Sequence, residues 1–186
     1  LPISTYLFYL EATTDITLTN NTFHLAESPT AGSAAGSAGL PGLGGSGITN
    51  GTDGDGADDG IDGGDADSYG FFITFSEAEL FNNIITNTTA NSIGLKKDSS
   101  TTLISNYNNL FGWGILYESF IPGVNELNVD PLFRDALNGD FYLTAGSDCI
   151  DAGDNNAPGT PADDICHRLR PFDGYDNGSK IFEMGA

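Results

Sequence analysis

Short apolar runs separated by Asn, Gly and Pro dominate the chain. They follow the two-residue alternation of strands rather than the three-to-four spacing of helices. Thr5 to Leu10 is aromatic and aliphatic, and Ile16 and Leu18 alternate with Thr17 and Thr19. Over 28–68 this pattern disappears into Gly, Ala, Ser and Asp, a composition that cannot make a core of its own. From Tyr69 onward the short apolar runs return. Thr, Asn and Ile are poor helix formers, and only Ser76 to Leu80 approaches a helical stripe. The pattern predicts one all-β domain over 1–186 with residues 28–68 as an inserted loop.

Within this pattern one phrase recurs. It reads Leu18-Thr-Asn-Asn-Thr-Phe23, then Leu80-Phe-Asn-Asn-Ile-Ile85, then Asn106-Tyr-Asn-Asn-Leu-Phe111. The second and third copies lie 26 residues apart and the first and second 62 apart; a 36-residue excursion, Gly32 to Asp67, restores the shorter period. A period in the twenties, short strands and Asn-rich corners are what a β-solenoid needs, because amides stacked in register satisfy the turns. A β-sandwich would want regularly spaced hairpin signals, and those are scarce.

Composition sharpens the picture. Of 186 residues, 26 are acidic and 6 basic, for a net charge of −20, which makes nucleic acid and anionic membrane surfaces poor partners. No window approaches the length of a membrane span. The chain does not open on Met, so it reads as a processed protein or a piece of a longer one. Cys149 and Cys166 stand 17 positions apart with no histidine pair beside them. One disulfide in an oxidising compartment is the expectation, with two unrelated thiols as the alternative.

The end of the chain has a different grammar: Val129-Asp-Pro-Leu-Phe133, Gly139-Asp-Phe-Tyr-Leu143, Gly146-Ser-Asp-Cys-Ile-Asp-Ala-Gly153, Arg168-Leu-Arg-Pro171 and Phe182-Glu-Met-Gly-Ala186. This order resembles the C-terminal region of bacterial secreted right-handed parallel β-helix repeat proteins, the group that often carries a sorting or anchoring tail. The resemblance is strong over 129–186 and weaker over the three Asn-Asn coils. It implies a right-handed parallel β-helix of few coils, with 129–186 as the last coil and a C-terminal cap over the open end. Members of that group often continue beyond Gly-Ala, so a trimmed tail is expected.

The sharpest local signal is Gly51-Thr-Asp-Gly-Asp-Gly-Ala-Asp-Asp-Gly-Ile-Asp62. Counting from Gly51, the side chains of Asp53, Asp55, Asp59 and Asp62 and the carbonyl of Ala57 fall at the ligand positions of an EF-hand-type calcium loop, with Gly56 at the sharp turn. The run also resembles the Asp-rich calcium repeats of the thrombospondin type 3 class. Gly51 replaces the usual first Asp, and Asp62 is shorter than the preferred Glu. The competing reading is a solvated acidic linker. Asn-x-Ser/Thr acceptors stand at Asn20, Asn50, Asn87 and Asn177. Asn20 and Asn87 fall near coil corners, where a glycan would interfere.

Catalysis has weak support. His24 and His167 lack glycine neighbours, and the basic residues are scattered. Two carboxylates can hydrolyse a glycoside without His, but the Asp pairs lie in the acidic run or the cap. Trp113 and Tyr117 are expected to seal the core, Asp151 and Asp154 to fix turns, and Arg168 and Arg170 to pair with Asp163, Asp164 and Asp173. The expected function is a non-catalytic extracellular or cell-surface structural or adhesive β-helix. Calcium is its expected cofactor, and head-to-tail self-association and surface glycans are its expected partners. The alternative is a carbohydrate-binding or polysaccharide-cleaving β-helix fragment.

Overall fold

Strands of three to seven residues alternate with tight corners, several of them made by a residue in a left-handed backbone: Asn20, Asn82, Tyr107, Gly112 and Ser119. The computed structural model describes residues 5–11, 16–25, 68–74, 77–88, 92–176 and 178–185. All of these belong to one compact unit, 4–29 with 67–186. The acidic run of the inserted loop lies outside the described residues.

In chain order the strands are β1 (Thr5–Glu11), β2 (Ile16–Thr19), β3 (Thr22–Leu25), β4 (Ser68–Thr74), β5 (Glu77–Phe81), β6 (Ile84–Asn87), β7 (Ile93–Lys97), β8 (Thr102–Asn106), β9 (Asn109–Phe111) and β10 (Ile115–Glu118). Each of β1 to β7 pairs in parallel with the third strand after it, giving the sheets β1-β4-β7-β10, β2-β5-β8 and β3-β6-β9. Three parallel sheets visited in rotation are consistent with a parallel β-helix. Beyond them β11 (Phe133–Asp135) and β12 (Asp140–Leu143) form an antiparallel pair around a short 3-10 turn.

The register corrects the expected period. Ile84 pairs with Asn109 and Phe81 with Asn106, a spacing of 25 rather than 26. The first spacing is 62, as Thr22 pairs with Ile84. The third is only 18, because Asn109 bridges Leu127. The consecutive Asn pairs therefore do not all superpose: the left-handed corner is taken by Asn20, Asn82, Tyr107 and Asn125 (φ 55° to 57°).

Between the sheets lie Phe71, Ile73, Ala78, Leu80, Ile85, Leu95, Leu110 and Trp113, all buried. Gly70 and Gly94 make room for the Trp113 ring, which a Cβ at either position would meet within 3.2 Å. A second apolar cluster sits on the opposite face of β6. There Ile84, Cys149 and Met184 pack with Leu127, Val129, Phe133 and Leu143.

This second cluster shows where the C-terminal segment lies. Expected as a lid over one end of the stack, the segment bonds along its side. Asn109 Nδ2 donates to Val129 O at 3.0 Å, Asp154 N–H to Asn82 Oδ1 at 2.7 Å, and Asn20 Nδ2 to Glu183 O at 2.8 Å. Gly185 N–H also donates to Asn82 O at 2.7 Å, and Thr19 Oγ1 to Pro158 O at 2.6 Å. The segment thus straps the second and third sheets from the last rung back to the first.

Candidate functional site

The longest buried polar arrangement is a line of side chains on the residue following each left-handed corner. Asn21 Nδ2 donates to Asn83 Oδ1 at 3.2 Å, and Asn83 Nδ2 to Asn108 Oδ1 at 2.8 Å. Asn108 Nδ2 in turn donates to Glu126 Oε1 at 3.0 Å. The same Oδ1 atoms accept the backbone N–H of Asn21 and Asn83, at 3.0 and 2.9 Å. Asn83 and Asn108 are completely buried, where an unpaired amide would be costly. The polar groups the corners leave over are thereby satisfied.

Glu126 ends this line. Its Oε1 accepts from Asn108 and, at 2.8 Å, from Ser105 Oγ; its Oε2 accepts from the Tyr117 hydroxyl at 2.9 Å. Burial pushes its carboxyl above the ordinary carboxylate range, against the downward pull of those three donors. Burial likewise holds the Tyr117 phenol protonated, reinforced by the charge of Glu126.

Two further surfaces carry chemistry. On the outer face of the first sheet, Phe72 and Lys96 are register partners, as are Lys96 and Glu118. Lys96 Nζ meets Glu118 at 2.6 Å and lies 5.2 Å from the centre of the Tyr69 ring. Tyr9, 45% exposed, packs against Phe72 with ring centres 5.7 Å apart. In the C-terminal segment a cleft of about 190 Å³ lies among Arg168, Arg170, Tyr142, Phe172 and Glu183. The Arg170 side chain is 4% exposed; it donates to Gly185 O at 3.0 Å and meets Glu183 at 3.6 Å, while its Nε has no partner.

The residues singled out from sequence fare differently. Asp53, Asp55, Ala57, Asp59, Asp62, Asn50 and Asn177 lie outside the described residues. Among the described residues no group of three His, Cys, Asp or Glu side chains is placed to hold a metal ion. No helix among them is long and apolar enough to cross a membrane. Asn20 and Asn87 are buried, and their amide nitrogens are engaged, Asn87 with Ser92 Oγ at 2.5 Å. Neither presents its nitrogen for glycosylation in this fold.

The expected Cys149–Cys166 disulfide is not formed: both thiols are free. Cys149 is sealed in the second cluster, where burial pushes its thiol up to about 11, while Cys166 is exposed against the Tyr142 hydroxyl. Trp113 is core, donating from Nε1 to Ile85 O at 2.9 Å. Asp154 fixes a turn by accepting from Asn156 N–H, and Asp151 Oδ1 accepts from Gly174 N–H. Arg168 pairs with Asp164 at 2.7 Å, but Arg170 turns to Glu183 rather than to Asp173. Sequence reasoning missed Glu126. The signal was its place one residue after Asn125, an Asn-Glu pair where the phrase has Asn-Asn.

Compared with known proteins, the chain matches no family model, no curated protein and no solved structure.

Proposed function

We propose that the chain is a right-handed parallel β-helix that acts outside the cell as a structural or adhesive module and joins its own copies end to end. Right-handedness is supported by the strong bias of crossovers between parallel strands. One observation carries the end-to-end reading. The first strands of the three sheets, β1, β2 and β3, each pair on one side only among the described residues, so three parallel edges end on the same rung. Unpaired edges are templates for another chain, and a head-to-tail contact propagates into a fibre unless its rotation closes. The charge of −20 keeps fibres apart laterally. Calcium, held by Asp53, Asp55, Asp59, Asp62 and the Ala57 carbonyl, would weaken that repulsion. Electron microscopy of the purified chain at pH 7 and pH 5, with calcium and with chelator, is expected to show filaments one molecule wide in at least one of these conditions. Monodisperse single particles in every condition would sink the reading.

A second reading, carbohydrate binding, is favoured by the outer face of the first sheet. There Tyr9 and Phe72 offer ring faces, and the Lys96–Glu118 pair offers hydrogen-bonding groups at their edge. Glycan-array binding that disappears in Tyr9→Ala supports it; an empty array, with no new reducing ends released from acidic polysaccharides, removes it.

A further inference from the structure

The line of amides has a direction. In every step the Nδ2 of one rung donates to the oxygen of the next, from Asn21 through Asn83 and Asn108 to Glu126. At the start, Asn21 Nδ2 is used by Asn83 and by Thr19 O, and Asn21 is only partly buried. Among the described residues no hydrogen bond reaches its Oδ1, so there the line begins on an open acceptor. At the other end stands a carboxyl. An ionised carboxylate only accepts, and Glu126 already takes three hydrogen bonds. A second copy stacked in the same sense would set its Asn21 Oδ1 against Glu126, acceptor facing acceptor, with a charge buried between them. Protonated, the same carboxyl gains one O–H donor, and the line can run on into the next molecule.

We propose that Glu126 is the gate of the end-to-end contact: ionised it closes the amide ladder, and neutral it passes the ladder to Asn21 of a second copy. The inference rests on the end-to-end reading. The surface is the rung carrying Glu126, and the partner is the β1–β3 edge of another copy of this chain. Glu126 is faced by Ser105 from β8, by Asn108 from the corner and by Tyr117 from β10. Tyr117 is the titratable member of that set, and it stays a neutral donor. Burial raises the pH at which Glu126 takes up its proton above that of an ordinary surface carboxylate.

The test is the molar mass of Glu126→Gln at pH 7, followed by light scattering across a concentration series, with Glu79→Gln as control. Glu79, on the outer face of β5, loses the same charge away from the ladder. Glu126→Gln is expected to grow from 19.5 kDa into multiples of it, while wild type and Glu79→Gln stay at 19.5 kDa. Adding Asn21→Ala to Glu126→Gln should return it to single molecules with an unchanged far-UV circular dichroism spectrum. Growth of both glutamine variants would mean that lost charge alone drives association, and overturns the gate. Wild type already polymeric at pH 7 overturns the gate but leaves the end-to-end reading standing. Single molecules from every variant at pH 7 and pH 5 overturn both. Should Glu126→Gln not fold, Tyr117→Phe serves instead. It removes one donor to the carboxylate and should move the midpoint of acid-induced assembly to higher pH; an unmoved or lowered midpoint overturns the gate.

Discussion

Asn83→Ala is the most direct probe of the ladder. Asn83 is completely buried, and its side chain makes four hydrogen bonds: it donates to Asn108 Oδ1 and Leu18 O, and accepts from the N–H and the Nδ2 of Asn21. Truncation does not orphan every partner. Asn108 Oδ1 keeps the Asn83 N–H, and Asn21 Nδ2 keeps Thr19 O. The Asn21 N–H and the Leu18 carbonyl are left without those bonds, and each such group costs about 1–3 kcal/mol. A further ~1 kcal/mol comes from the small cavity. The expected loss is about 3–7 kcal/mol, a large fraction of the ~5–15 kcal/mol that holds a typical domain folded. Urea unfolding at pH 7 measures it, and the melting temperature should fall by roughly 10 °C. Asn128→Ala, at an exposed position on the last rung, is the control and should stay within ~0.5 kcal/mol of wild type. If Asn83→Ala lost under 1 kcal/mol, or no more than Asn128→Ala, the ladder would not be what holds the corners together.

Other consequences are as open to measurement. Because burial raises the folded-state pKa of Glu126, the folded protein holds this proton more tightly than the unfolded chain. Its stabilising contribution is full below the unfolded carboxylate pKa and is lost as pH rises through the folded one. Wild type should therefore lose stability relative to Glu126→Gln as pH rises above the ordinary carboxyl value of about 4.5, by ~1.4 kcal/mol for each tenfold difference in proton affinity; parallel curves would refute this. In Gly94→Ala the new methyl would stand 2.9 Å from the Leu116 carbonyl oxygen and 2.8 Å from Leu110 Cδ2. A cost of ~1–3 kcal/mol is expected in the same urea assay, and an unchanged midpoint counts against the close approach of these coils. With a thiol reagent under native conditions Cys166 should react at once, and Cys149 only in denaturant. Two fast thiols, or none, would contradict the described environments.

The repeat was legible because its signal is chemical: a buried corner amide is hard to replace, so Asn recurs where the chain turns. The register slipped by one because Tyr107 occupies a left-handed corner that Asn20 and Asn82 hold elsewhere, so the third Asn pair is displaced along the chain. The shortened fourth rung hid for a similar reason, since Glu126 accepts in the place of an amide. The side strap was harder to read. Its docking site is the outward face of β6, and the one hint is that Ile84 and Ile85 are apolar in succession, as in a strand covered on both faces. The disulfide expectation followed from compartment logic alone, and nothing in a 17-residue spacing says that one thiol is sealed under Met184 while the other faces water.

The strap also sets an order in time. Thr19, Asn20 and Asn82 are fastened by Pro158, Glu183 and Gly185, partners as much as 165 positions away in the chain. A ribosome delivers the early rungs long before those residues exist, so the first coil must wait, stacked but unfastened, until the segment that fastens it has been made. Long-range closure of this kind slows folding. A message truncated before Pro158 would release coils whose second apolar cluster lacks Met184 and whose first rung has no Pro158, Glu183 or Gly185 to fasten it, a product fit for degradation.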